Sequence, residues 1–133
     1  MKLLQKQFLS VDSDSIRIST ASLKGGRKYM EDEFSIVHYS PSQNEGKENA
    51  PPSIVKPFLF FGIFDGHGGD MASKFSRDNL CNNIICQHSF WSNDDSDVCR
   101  AIRNGFISTQ KQMQAQVGEF ILFFSVVLLI YSF

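Results

Sequence analysis

Residues 58–65, FLFFGIFD, are almost continuously apolar and close on an aspartate, and no other stretch narrows the choice of fold so far. Eight residues rich in aromatic and β-branched types fit a strand buried on both faces, because a half-solvated strand would alternate apolar with polar positions. Such a strand needs neighbours beside it and other layers packed over it. Residues 16–23 (IRISTASL) alternate apolar and small polar types and read as a half-buried strand, which Gly25 and Gly26 end. Residues 33–39 (EFSIVHY) read as a second strand, expected to pair antiparallel with the first. Residues 40–57 hold all four prolines among Ser, Asn, Glu and Lys and read as a mobile, solvated loop. After Gly68 and Gly69, Asp70 is placed to cap a helix from 71 to about 88, with Ala72, Phe75, Leu80 and Ile84 near one face. Beyond the polar residues 92–95, Val98, Ile102, Phe106, Met113 and Val117 form the stripe of a second helix, with Thr109 in the missing turn. That stripe reads as core packing. The fold class is α+β, with about three strands and two helices.

A chain of 133 residues is long enough for one domain and too short for two. Its 13 basic and 14 acidic residues leave a net charge of −1, which argues against a nucleic-acid binder with a basic face and against a polybasic membrane anchor. Cys81, Cys86 and Cys99 are odd in number and show no Cys-x-x-Cys or Cys/His metal spacing. They read as structural, and a reducing intracellular compartment, nuclear or cytoplasmic, fits them. Residues 1–15 contain no uninterrupted apolar core of a signal peptide, so secretion by a cleaved leader is not expected.

The end of the chain departs from this ordinary composition. Residues 120–133, FILFFSVVLLIYSF, hold 12 apolar residues in 14 and no charge. As a membrane helix they would span about 21 Å against a hydrocarbon core of roughly 30 Å. They can also be read as a strand or helix of the core. A third reading is translation past an exon boundary, since Gly118-Glu119-Phe120 can be encoded by codons containing a splice-donor-like GTGAGT and T-rich sequence encodes Phe, Leu, Ile, Val and Ser. The third is the preferred expectation.

Two segments concentrate chemistry. One is residues 27–33, Arg27-Lys28-Tyr29-Met30-Glu31-Asp32-Glu33, and the other is residues 65–70, Asp65-Gly66-His67-Gly68-Gly69-Asp70. An acidic residue at the carboxyl end of a hydrophobic strand, followed by glycines, suits a hard divalent cation: the strand fixes the carboxylate and the glycines admit backbone carbonyls. A histidine beside such a cluster can donate a proton near neutral pH, and an arginine offers a two-pronged grip on phosphate. Each segment alone has a plainer reading: a glycine turn with a helix cap at 65–70, surface ion pairing of Arg27 with Glu31 or Glu33. A P-loop is disfavoured because no Gly-Lys-Ser/Thr follows the glycines, and an EF-hand because the acidic spacing does not match. His38 and His88 read as structural or exposed.

In this order, GGRKYMEDEFSIV followed by FFGIFDGHGGDMASKF resembles the opening of the metal-dependent serine/threonine protein phosphatases, the type 2C or PPM family. Arg-x-x-Met-Glu-Asp and Asp-Gly-His-x-Gly are both complete. The wording GGRKYMED, the proline-containing insertion and DVCRAIRNGFISTQKQM resemble the delta branch of that family, although the insertion is far shorter than in its vertebrate members. That branch acts in DNA-damage and stress-kinase signalling, mainly in the nucleus.

The resemblance covers residues 16–117 and implies the N-terminal portion of a β-sandwich flanked by helices, with residues 118–133 outside the family. It implies two Mg²⁺ or Mn²⁺ ions held by Asp65, the Gly66 carbonyl, Glu31 and Asp32, a phosphate-binding Arg27, and His67 as the acid that protonates the departing seryl or threonyl oxygen. The implied partners are phosphorylated proteins, hydrolysed by a water activated between the ions. The family's later aspartate motifs do not occur after Val117, so a partial site with little or no activity is expected. The alternative is a non-catalytic fragment that binds a partner or a membrane through its helices or through residues 120–133.

Overall fold

A computed structural model describes residues 4–10, 15–39, 56–117 and 124–132. Contacts divide the chain into two compact units, Met1–Met30 and Glu31–Phe133. The first holds β1 (Leu4–Ser10) and β2 (Ser15–Ala21), an antiparallel hairpin in register from Leu4 opposite Ala21 to Ser10 opposite Ser15. The second holds β3 (Glu33–Tyr39), β4 (Phe58–Gly66), α1 (Met71–Ile85), a single 3₁₀ turn (His88–Trp91), α2 (Asp95–Val117) and β5 (Phe124–Ser132).

The architecture is α+β, two helices with small antiparallel sheets, as expected from the sequence. Two strands, β1 and β5, lie outside the three read there. One pairing is corrected. The strand at 15–21 pairs with residues 4–10 rather than with 33–39, and β3 pairs with β4, Glu33 opposite Phe64 and Tyr39 opposite Phe58. Four residues join β1 to β2, a hairpin-length link, whereas the longer connection from β2 to β3 carries Gly25 at φ 60°.

β4 is the centre of the three-stranded sheet β3-β4-β5. Successive side chains alternate between its faces. Phe58, Phe60 and Phe64 are buried in one cluster with Leu80 and Ile84 of α1, Phe90 of the 3₁₀ turn and Ala101 of α2. On the other face Leu59 is buried, but Ile63 is 56% exposed. The strand is therefore covered on both faces only at its start, and its second half is covered on the helix side alone. The apolar tail joins this sheet: residues 124–132 run antiparallel to β4, Phe124 opposite Gly66 and Ser132 opposite Phe58. That conformation is the core-strand reading; an origin past an exon boundary concerns where the segment came from and is compatible with it. No described helix is long and apolar enough to cross a membrane. The loop expectation for 40–57 lies outside the described residues, apart from Lys56 and Pro57.

α1 ends three residues earlier than expected. Phe90 and Trp91 fold back in the 3₁₀ turn, where Phe90 meets Phe58 edge-on and the Trp91 indole N–H donates to the Ile85 carbonyl at 2.9 Å, satisfying an acceptor the helix end leaves open. Asp70 stands at the N-cap of α1, yet its side chain does not cap; Oδ2 accepts from Lys74 Nζ at 2.6 Å instead. On α2 the most buried described positions are Ala101, Gly105, Thr109 and Met113, while Val98, Ile102 and Phe106 are half-buried beside them. A Cβ on Gly105 would overlap Ile84 of α1, so the helices touch through small residues. Asn83 Nδ2 reaches Thr109 Oγ1 and Gln112 Oε1, both at 2.9 Å, across the same contact.

Candidate functional site

Residue Glu31 of the first chemically loaded segment meets the second segment at the carboxyl end of β4. Alternation in a pleated strand places Asp65 on the open face and Gly66 on the helix side, and Gly66 is buried while the Asp65 side chain is 53% exposed. Gly66 has an ordinary φ, so its role is steric. A Cβ built there would strike the carbonyl of Glu31. Only glycine lets the Glu31 backbone lie against the strand end, which sets the start of the Glu31-Asp32-Glu33 run against the end of β4. Gly68 and Gly69, at φ 79° and 125°, then turn the chain into α1.

Helix α1 also holds the Glu31 carbonyl. Ser73, fully buried, donates its Oγ proton to the Glu31 carbonyl, and the same oxygen lies 3.1 Å from the Asp70 carbonyl. One turn further on, Arg77 Nη1 donates to Glu33 Oε2 at 2.8 Å, and Nε donates to Asp78 Oδ1 at 2.7 Å. These carboxylates, Asp78 first, push the Arg77 guanidinium further up from its already high value, and Arg77 in turn holds the Asp78 carboxyl below the usual carboxylate range. Both arginine contacts are partly solvated, so each contributes at most about 1 kcal/mol.

His67 follows directly. Its Nδ1 lies 3.4 Å from Asp65 Oδ1, and its side chain is 59% exposed. Arg27 belongs to the other compact unit. Its backbone N–H donates to the Lys24 carbonyl at 3.1 Å in the glycine turn, and the residue is exposed. Five of the six sequence-derived site residues, Glu31, Asp32, Asp65, Gly66 and His67, thus lie in one unit, while Arg27 lies in the hairpin unit.

The donors are all oxygen, and the Gly66 cradle sets both acidic segments at one strand end, which fits the chemistry of a hard divalent cation. Their number stops short of a closed set: among the described residues no three His, Cys, Asp or Glu side chains come together in a group that could hold a metal ion. Mg²⁺ already keeps several waters and few protein carboxylates. The arrangement is a set of oxygen donors at one strand end, fewer than a metal site needs.

Sequence reasoning missed Ser73 and Arg77. The available signal was the run of small residues Ala72, Ser73 and Ser76 on α1, which marks a helix face lying close on a strand. Of the histidines set aside, His88 is exposed, and His38 lies in β3 with Nε2 buried and without a hydrogen-bond partner among the described residues. Cys81 is buried, whereas Cys86 and Cys99 are exposed.

Residues 16–119 match the family described as protein phosphatase 2C. "Protein phosphatase 2C homolog 2" of Hypocrea jecorina is 29% identical over 109 residues, covering 82% of this chain and 23% of the relative. The Schizosaccharomyces pombe protein of the same description is 30% identical over 112 residues, 84% of this chain and 27% of the relative. "Integrin-linked kinase-associated serine/threonine phosphatase 2C" of Bos taurus is 31% identical over 112 residues, 83% and 29% of the two chains. The chain spans about a quarter of the length of the curated relatives it matches.

Proposed function

Because the chain belongs to the protein phosphatase 2C family, we propose that it serves hydrolysis of phosphoserine and phosphothreonine on proteins, carrying the substrate-facing and acidic half of that site. The observation that carries this is the close approach of Gly66 to the Glu31 backbone, which sets the Met-Glu-Asp and Asp-Gly-His motifs at one strand end. Asp65, the Gly66 carbonyl, Glu31 and Asp32 would hold Mg²⁺ or Mn²⁺, two ions in the complete site. Bound there, such ions supply Lewis acidity to phosphate-ester hydrolysis by water. Arg27 would grip the phosphate oxygens through its fork of N–H donors. His67 would carry the proton offered to the departing oxygen on Nε2, since Nδ1 faces Asp65.

The open donor set argues that residues 1–133 by themselves hydrolyse slowly or not at all. GGRKYMED and the sequence of α2 favour placement in the Wip, or delta, branch. The thiol composition favours an intracellular, nuclear or cytoplasmic, location. Calorimetric titration with Mn²⁺ tests the reading: weak binding that Asp65→Ala removes is expected, and binding that the substitution leaves unchanged overturns it.

A further inference from the structure

The chain passes from one compact unit to the other between Met30 and Glu31, so the acidic pair Glu31-Asp32 starts its unit with no strand or helix of its own to hold it; β3 begins only at Glu33. Two contacts fix the Glu31 backbone. Gly66 blocks movement from the strand side, and the Ser73 hydroxyl holds the carbonyl from α1 across 42 positions of sequence. Ser73 has no exposed surface and faces away from solvent, so it can touch neither substrate nor ion directly. Its hydroxyl sits in the first turn of α1, beside the Asp70 carbonyl at 3.1 Å, and that turn is joined to Asp65 through residues 66–69.

We propose that Ser73 is a positioning residue: its hydrogen bond to the Glu31 carbonyl sets the distance between the Glu31-Asp32 pair and Asp65, and thereby the cation affinity of the half-site. The proposal rests on the reading of these carboxylates as cation ligands. Ser76 supplies the contrast. It lies on the same helix, is equally buried, and its Oγ has no hydrogen-bond partner among the described residues. A hydroxyl that merely fills space on α1 would make the two serines equivalent.

The experiment compares Ser73→Ala, Ser76→Ala and Asp65→Ala in the full chain by hydrogen exchange of the segment 30–33 without metal and by Mn²⁺ titration. Removing a group that orients a ligand indirectly weakens metal affinity by about tenfold or more, so Ser73→Ala is expected to weaken Mn²⁺ binding about tenfold and to speed exchange at 30–33. Ser76→Ala is expected to change neither. Equal effects of the two serine substitutions, or no effect of Ser73→Ala on Mn²⁺ affinity, overturn the proposal. If Asp65→Ala leaves Mn²⁺ binding intact, the site reading falls and the proposal with it; faster exchange confined to Ser73→Ala would then survive as an anchoring contact alone.

Discussion

Gly66 shows how much one absent side chain can decide. Its neighbours in sequence suggested that glycine opens the backbone to an ion; the contact it makes is with the carbonyl of Glu31. Gly66→Ala is expected to push the Glu31 segment off the strand end and cost about 1–3 kcal/mol, as overpacking does in tight sites; a lower melting temperature checks it, and an unchanged one would deny the close approach. Cys81 offers a second test at this scale. Burial pushes its thiol up to about 12 from an ordinary value of 9.0. The folded state thus holds this proton more tightly than the unfolded chain. The resulting stability is full below pH 9 and is lost as pH rises from 9 toward 12. At pH 8 an alkylating reagent should label Cys86 and Cys99, both exposed, and reach Cys81 only after unfolding. The motif residues were legible because their chemistry is written in their side chains. Ser73 was not, because a serine's burial and its partner 42 residues away are tertiary facts.

At the scale of elements, periodicity located β3, β4, α1 and α2, and the α2 stripe does face inward, with Thr109 and Met113 buried and Val98, Ile102 and Phe106 packed against the core. The stripe of Val98, Ile102, Phe106, Met113 and Val117 with Thr109 left out Ala101 and Gly105, which are buried beside it against α1. Small residues carry little apolar signal, and their value lies in letting two backbones approach. Gly105→Ala would set a Cβ against Ile84 and is expected to destabilise by about 1–3 kcal/mol despite alanine's better helix propensity; a gain in stability on denaturant unfolding would contradict that packing. β1 escaped notice because Gln5, Lys6 and Gln7 interrupt its apolar pattern, so its pairing with β2 comes from the short link between them. The tail was legible as apolar and not as a strand, since a continuous apolar run fits strand and helix alike until a partner is known. β4 supplies that partner along its whole length.

At the scale of the whole molecule, the family match covers residues 16–119, and the chain spans about a quarter of the length of its relatives. Arg27 and Asp65 belong to different compact units. The central claim is that Glu31-Asp32 and Asp65-Gly66 form one cation-binding edge at the end of β4. Paramagnetic broadening of amide NMR signals during Mn²⁺ addition tests it most directly. The signals of residues 31–32 and 65–67 should fade together at the lowest Mn²⁺ and persist in Asp65→Ala. Broadening centred instead on Asp94, Asp95 and Asp97 at the start of α2, or at 65–67 without 31–32, would contradict it.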